Sequence, residues 1–123
     1  MKFLLLAYTP ADAWDAADAG AGSEDAMAAF AVYQKFQQEL TETGEFVGSE
    51  GLGHPVVSTT VRRTDDGVIA TDGPFAELKE VLASYAVIDC VSQERAVEIA
   101  GRIVAILGEP IEIRPIMCAD LAG

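Results

Sequence analysis

The chain has 123 residues, half of them hydrophobic, and its twenty acidic and eight basic side chains give a formal net charge of −12. That is the length of one domain with material for a single core, and a mean hydropathy of +0.24 excludes a disordered chain. The acidity excludes nucleic acid and anionic membranes as direct partners, since both are held through a basic patch.

Residues 3–8 predict a first strand that is apolar on both faces, with Phe3, Leu5 and Ala7 alternating with Leu4, Leu6 and Tyr8, and with Pro10 as its end. The run is too short for a signal peptide, and Asp12, Asp15 and Asp18 follow it, so it reads as the start of a cytoplasmic protein. No stretch reaches transmembrane length. Residues 10–22 read as an acidic loop rich in Ala, Asp and Gly, with Trp14 plugging the core or, as the alternative, lying over a pocket mouth. Ser23 ahead of Glu24 and Asp25 marks a helix start. Met27, Phe30, Tyr33, Phe36 and Leu40 then make an apolar stripe, and Gly44 stops a helix over residues 24–43. Phe46-Val47 is a short extended piece. The glycines after it, Gly48, Gly51 and Gly53, neither open a helix nor precede Lys-Ser/Thr, so they make no phosphate loop. His54 is the single histidine; ahead of Pro55 it reads as a solvated loop residue, and no cluster exists to bind a metal.

Residues 56–63 alternate as a half-buried strand, Asp65-Asp66-Gly67 makes a hairpin turn, and residues 68–71 return antiparallel into Asp72. Asp72-Gly73-Pro74 is a corner: Asp bonds nearby backbone, Gly permits positive φ, and Pro fixes its own φ. Phe75 places a ring beside the carboxylate, and the residues after it suit one helical turn. Residues 82–90 form a strand apolar on both faces. Ser92 caps a second helix with Ala96, Ile99, Ala100, Ile103 and Leu107 on its stripe and Gly108 as its stop. Residues 111–116 are the last strand, and Pro115 places it at an edge or strand end. Cys90 and Cys118 fit no metal or redox spacing and read as two buried thiols, with one disulfide as the alternative.

Reduced to essentials, the order is a β-α-β-β-α-β plait with an extra hairpin, a ferredoxin-like α+β domain. Two helices cover one face of such a sheet, whereas the strands at 3–8 and 82–90 are apolar on both. A second copy of the chain, packed sheet against sheet in a two-fold dimer, is the expected cover.

The stretch Asp72-Gly73-Pro74-Phe75-Ala76-Glu77, followed by Lys79-Glu80 and a strand, resembles the DGPF branch of the YCII-related family. The opening residues 1–6, the aromatic-rich first helix, Glu50-Gly51-Leu52, Thr60-Val61-Arg62 and the ending Ile113-Arg114-Pro115-Ile116-Met117 fit as well, so the resemblance spans nearly the whole chain. It implies a dimeric α+β barrel and a frequent genetic neighbourhood with extracytoplasmic-function sigma factors. The wider family includes a dehydrochlorinase of a small aromatic-derived acid that uses a His–Asp pair near the start of the first helix. This sequence departs there, because His54 follows that helix. It departs again at Leu78-Lys79-Glu80 and Ala83-Ser84-Tyr85, where the branch has Thr-Lys-Glu and Gly-Gly-aromatic; the lost glycines would narrow a pocket wall.

Two functional readings and one architectural reading follow. The first is a cofactor-free lyase or isomerase on a small organic acid. Asp72, partly buried beside Phe75, would be the general base, and Tyr85 or His54 would supply or orient a proton. Arg114 or Lys79 would hold the substrate carboxylate, with Gly73, Pro74 and Phe75 shaping the site. The second is a non-catalytic metabolite sensor whose dimer reports to a partner in sigma-factor regulation. The third makes the DGPF segment a dimer latch, with Phe75 in the interface and Lys79 and Glu80 pairing across it.

Overall fold

The computed structural model describes residues 1–12 and 24–117. Trp14, the Ser23 cap and Cys118 lie outside the described residues. The elements are β1 (Lys2–Pro10), α1 (Glu24–Thr43), β2 (Phe46–Gly51), β3 (Thr59–Thr64), β4 (Gly67–Asp72), β5 (Glu80–Asp89), α2 (Gln93–Leu107) and β6 (Ile111–Pro115). A short 3-10 turn, Pro55–Val57, stands before β3. Strands β2, β5, β1 and β6 form an antiparallel sheet in that order, and β3 and β4 form a separate two-stranded hairpin. This is the ferredoxin-like plait with an added arm.

β1 lies at the centre, with Leu5 opposite Ala86 of β5 and Ile113 of β6. Its odd-numbered side chains face the helices. Phe3, Leu5, Ala86 and Ile88 from the sheet meet Phe36 and Leu40 of α1 and Ala96, Ile99 and Ile103 of α2 in one buried cluster. Each fully buried Leu, Ile or Phe there contributes about 1.5–3 kcal/mol relative to exposure. Cys90 closes the cluster's edge as a buried free thiol, its Sγ 3.3 Å from the Ser92 carbonyl. Arg102 spans the two helices, its guanidinium 3.9 Å above the Phe36 ring and 3.4 Å from Glu39.

The helix ends follow the predicted signals. Gly44 has φ +84°; its N–H donates to the Thr41 carbonyl and the Glu45 N–H to the Leu40 carbonyl. Together they make a Schellman stop that a side chain at position 44 would strain. The Ser92 hydroxyl accepts from the Arg95 N–H at the start of α2, and Gly108 ends that helix.

Four expectations need correction. Phe46-Val47 belongs to a full strand, β2, because the chain through Gly48 and Gly51 pairs with β5. Residues 55–57 are a 3-10 turn, so the strand predicted from 56 begins at Thr59. That strand is largely exposed, as is all of β4, because the hairpin projects as an arm instead of lying on the core. The stripe of α1 is buried only in its second half: Phe36 and Leu40 are enclosed, while Met27 and Phe30 stand 62% and 53% exposed.

On the sheet face away from the helices, Leu4, Leu6, Tyr8, Tyr85 and Val87 are half-buried and flanked by Glu50, Glu112 and Arg114. The double-sided apolar pattern of β1 and β5 is thus a property of the folded sheet.

Candidate functional site

The Asp72 corner forms as its residue types dictate. Gly73 has φ +107°, its N–H donates to the Ser58 carbonyl at 2.7 Å, and its own carbonyl accepts from Thr60 Oγ1 at 2.8 Å. These two bonds lock the end of β4 to the start of β3. A Cβ at Gly73 would meet nothing within 4 Å, so substitution there costs conformational strain without a clash. Gly73→Ala is expected to lower stability by about 1–3 kcal/mol in urea denaturation; an unchanged midpoint would show that the corner relaxes freely. Beyond it, residues 73–79 run as bends without the predicted helical turn, since the Pro74 corner leads directly to β5.

Two further links bring distant segments to this corner. β1 and β5 shift register between Ala7 and Tyr8, which leaves Ala83 outside the pairing. The Leu52 N–H takes the Ala83 carbonyl at 2.9 Å, which carries the loop after β2 across to β5. The Ala11 N–H takes the Lys79 carbonyl at 2.7 Å, tying the end of β1 to the end of the motif. Bulges of this kind re-aim side chains beside sites.

The result is an open cleft of about 1100 Å³. Tyr8 and Ala11 line it from the end of β1, Leu52, His54, Pro55 and Val57 from the 3-10 loop, and Glu80, Val81 and Leu82 from β5. Asp72, Gly73, Pro74, Glu77 and Leu78 complete the wall. Its volume is at the upper end of small-molecule sites, and its lining is mostly apolar with few polar groups, as in such sites generally. A second, small pocket of about 20 Å³ lined by Leu5, Tyr33 and Ile103 has room for no more than about one water.

Of the residues proposed from sequence, Asp72, Gly73, Pro74 and His54 share this cleft. Asp72 is exposed, and so is Phe75, which corrects the expectation of a carboxylate partly buried beside that ring. The ring, 77% exposed, turns to the hairpin arm instead and lies 5.3 Å below the Arg62 guanidinium. His54 Nδ1 accepts the Val56 N–H at 3.1 Å, so the imidazole caps the 3-10 turn. Lys79 lends its backbone to the fold but its side chain does not line the cleft. Tyr85 stands on the open sheet face opposite Leu6 and Glu50. Arg114 stands at the β6 edge, 3.9 Å from Glu112.

Sequence reasoning missed Tyr8. Its hydroxyl donates to Glu112 at 3.1 Å, and burial, reinforced by that bond, pushes the phenol's pKa up. A polar aromatic closing the apolar run of residues 3–8 was the available signal. No group of three metal-ligating side chains is present among the described residues. No helix among them is long and apolar enough to cross a membrane.

An uncharacterised protein of Rhizobium meliloti (strain 1021) is 34% identical over 64 residues, which is 52% of this chain and 52% of that protein, so the match spans about half of each. The YCII-related domain matches residues 1–118. From first strand to last, the chain belongs to the YCII-related domain family.

Proposed function

We propose that this chain is a small-molecule-binding domain of the DGPF type, cytoplasmic and homodimeric, whose ligand site is the cleft beside Asp72. The observation that carries this reading is the locked Gly73 corner, bonded to Ser58 at the end of the 3-10 loop, which brings Asp72 and Pro74 into one cleft lining with His54 and Val57. Rigid elements holding a few polar groups over an apolar wall suit binding at low entropic cost. The reading extends to a sensor that reports to a partner in sigma-factor regulation, the trait the DGPF resemblance implies. The half-buried apolar sheet face supports the dimer, and the exposed Phe75, Val61 and Ile69 support a contact by the arm and the DGPF segment across the interface.

A second reading is a cofactor-free lyase or isomerase, and it draws on Asp72 and His54 lining the same cleft. Its organic-acid substrate lacks support, because neither Lys79 nor Arg114 reaches the cleft wall.

The test is a thermal-shift screen of small metabolites on the wild type and on Asp72→Ala, with sedimentation of both and of Phe75→Ala. A ligand of the folded state raises the melting temperature by mass action. Binding lost in Asp72→Ala without turnover supports the sensor, whereas turnover of the bound compound supports the enzyme. A wild-type protein that sediments as a monomer at micromolar concentration would refute the dimer. A screen in which no compound shifts either protein would refute the site.

A further inference from the structure

The charges on the cleft wall specify a class of ligand, granted the reading above that the cleft is a binding site. Asp72, Glu77 and Glu80 line it, and among the described residues no lysine or arginine does. The basic residues Arg62, Arg114 and Lys79 do not line it. Arg62 lies over the Phe75 ring, Arg114 pairs with Glu112, and Lys79 falls between two lining residues without lining the cleft itself. An organic anion entering here would meet three carboxylates and, among the described residues, no lysine or arginine on the wall, His54 being the one lining residue able to carry positive charge. Much of the remaining wall is aliphatic, with Pro55, Val57, Pro74, Leu78, Val81 and Leu82 beside Tyr8, His54 and Ser58. Such a surface desolvates a hydrocarbon or aromatic body and rewards a positive charge at its end.

We propose that the cleft takes an organic amine or ammonium compound with an apolar body, and that Asp72 and Glu77 hold its cationic group. This reverses the carboxylic acid expected from sequence. The sign of the charge decides the matter, because a cation about 4 Å from a carboxylate near a protein surface gains enough Coulomb energy for roughly tenfold or greater preference. An anion at the same place loses a similar amount. The preference therefore weakens as salt rises.

The experiment compares three probes with one body: 2-phenylethylammonium, 2-phenylethanol and 3-phenylpropionate. Each is titrated at millimolar concentration into the full chain, and binding is followed through the backbone amide shifts of Gly73 and Val57. The expected result is ammonium binding at least tenfold tighter than the alcohol and propionate binding weaker still. The ammonium preference should fall to about threefold or less in the Asp72→Asn/Glu77→Gln double variant and persist in Glu98→Gln, an exposed acid on α2 that does not line the cleft. Equal binding of all three probes, or tightest binding of propionate, would overturn the ligand class and leave the site standing. A preference that survives in the double variant would assign it to Glu80 or to the overall charge of −12 and overturn the roles of Asp72 and Glu77. If none of the probes moves the cleft amides, the site reading fails together with the class.

Discussion

Ile99→Ala is expected to lower the free energy of unfolding by about 2–5 kcal/mol, measured by urea denaturation. Ile99 is 0% exposed and sits where α2 meets the sheet, in one cluster with Leu5, Ile88, Leu40 and Ile103. Truncation removes three carbons from a packed interior and leaves a void that the sheet is too stiff to fill. A domain of this size has about 5–15 kcal/mol in total, so the variant stands close to the folding threshold. Phe30→Ala is the matched control. It removes a larger side chain at the same helical periodicity, but Phe30 is 53% exposed, and the expected loss is below about 1 kcal/mol. If the two variants lose equal stability, the half of α1 that carries Phe30 is buried in solution, and a second copy over that face would be the first explanation to examine.

That contrast marks how far the sequence was legible. Periodicity located α1 and α2 and their glycine stops, because spacing and caps are local properties. It gave the correct face of α1 without the length of helix the core covers, which depends on where the sheet ends. The same limit applies to β3: its alternation is real, yet among the described residues no layer lies beneath the hairpin, and alternation alone cannot report a missing partner. β2 failed for the opposite reason. Gly48, Ser49 and Gly51 are poor strand formers, and pairing with the apolar strand β5 overrides their preference. At the site, the Asp72-Gly73-Pro74 corner was legible because its chemistry is contained in three residues. The cleft was not, because it is assembled by the Leu52–Ala83 and Ala11–Lys79 backbone bonds, which join segments far apart in the chain. Tyr8 was missed on that account, and so was the absence of lysine and arginine from the wall among the described residues.

Arg95→Met is expected to cost about 1–3 kcal/mol at neutral pH and to remove part of the protein's sensitivity to acid. Arg95 lies in the first turn of α2, where the helix dipole disfavours a cation, so another interaction must favour it there. That interaction is Glu45. Arg95 Nε and Nη2 donate to its two carboxylate oxygens at 2.8 and 2.9 Å, joining the start of α2 to the stop of α1. The Glu45 side chain is 15% exposed, and the Thr43 hydroxyl also donates to it. Glu98, 3.3 Å from Arg95 but 66% exposed, adds little. The paired hydrogen bonds from Arg95 hold the Glu45 carboxyl below its ordinary value of 4.5, against the opposing effect of burial. A carboxyl lowered on folding stabilises the native state fully above its unfolded value, and that contribution disappears as pH falls through the folded value. The wild type should therefore lose stability below about pH 4.5 faster than Arg95→Met, and the two urea midpoints should converge as Glu45 protonates. A gap that stays constant from pH 7 to pH 3 would mean that Arg95 acts only by packing its aliphatic stem, and the ion pair would not hold the two helix ends together.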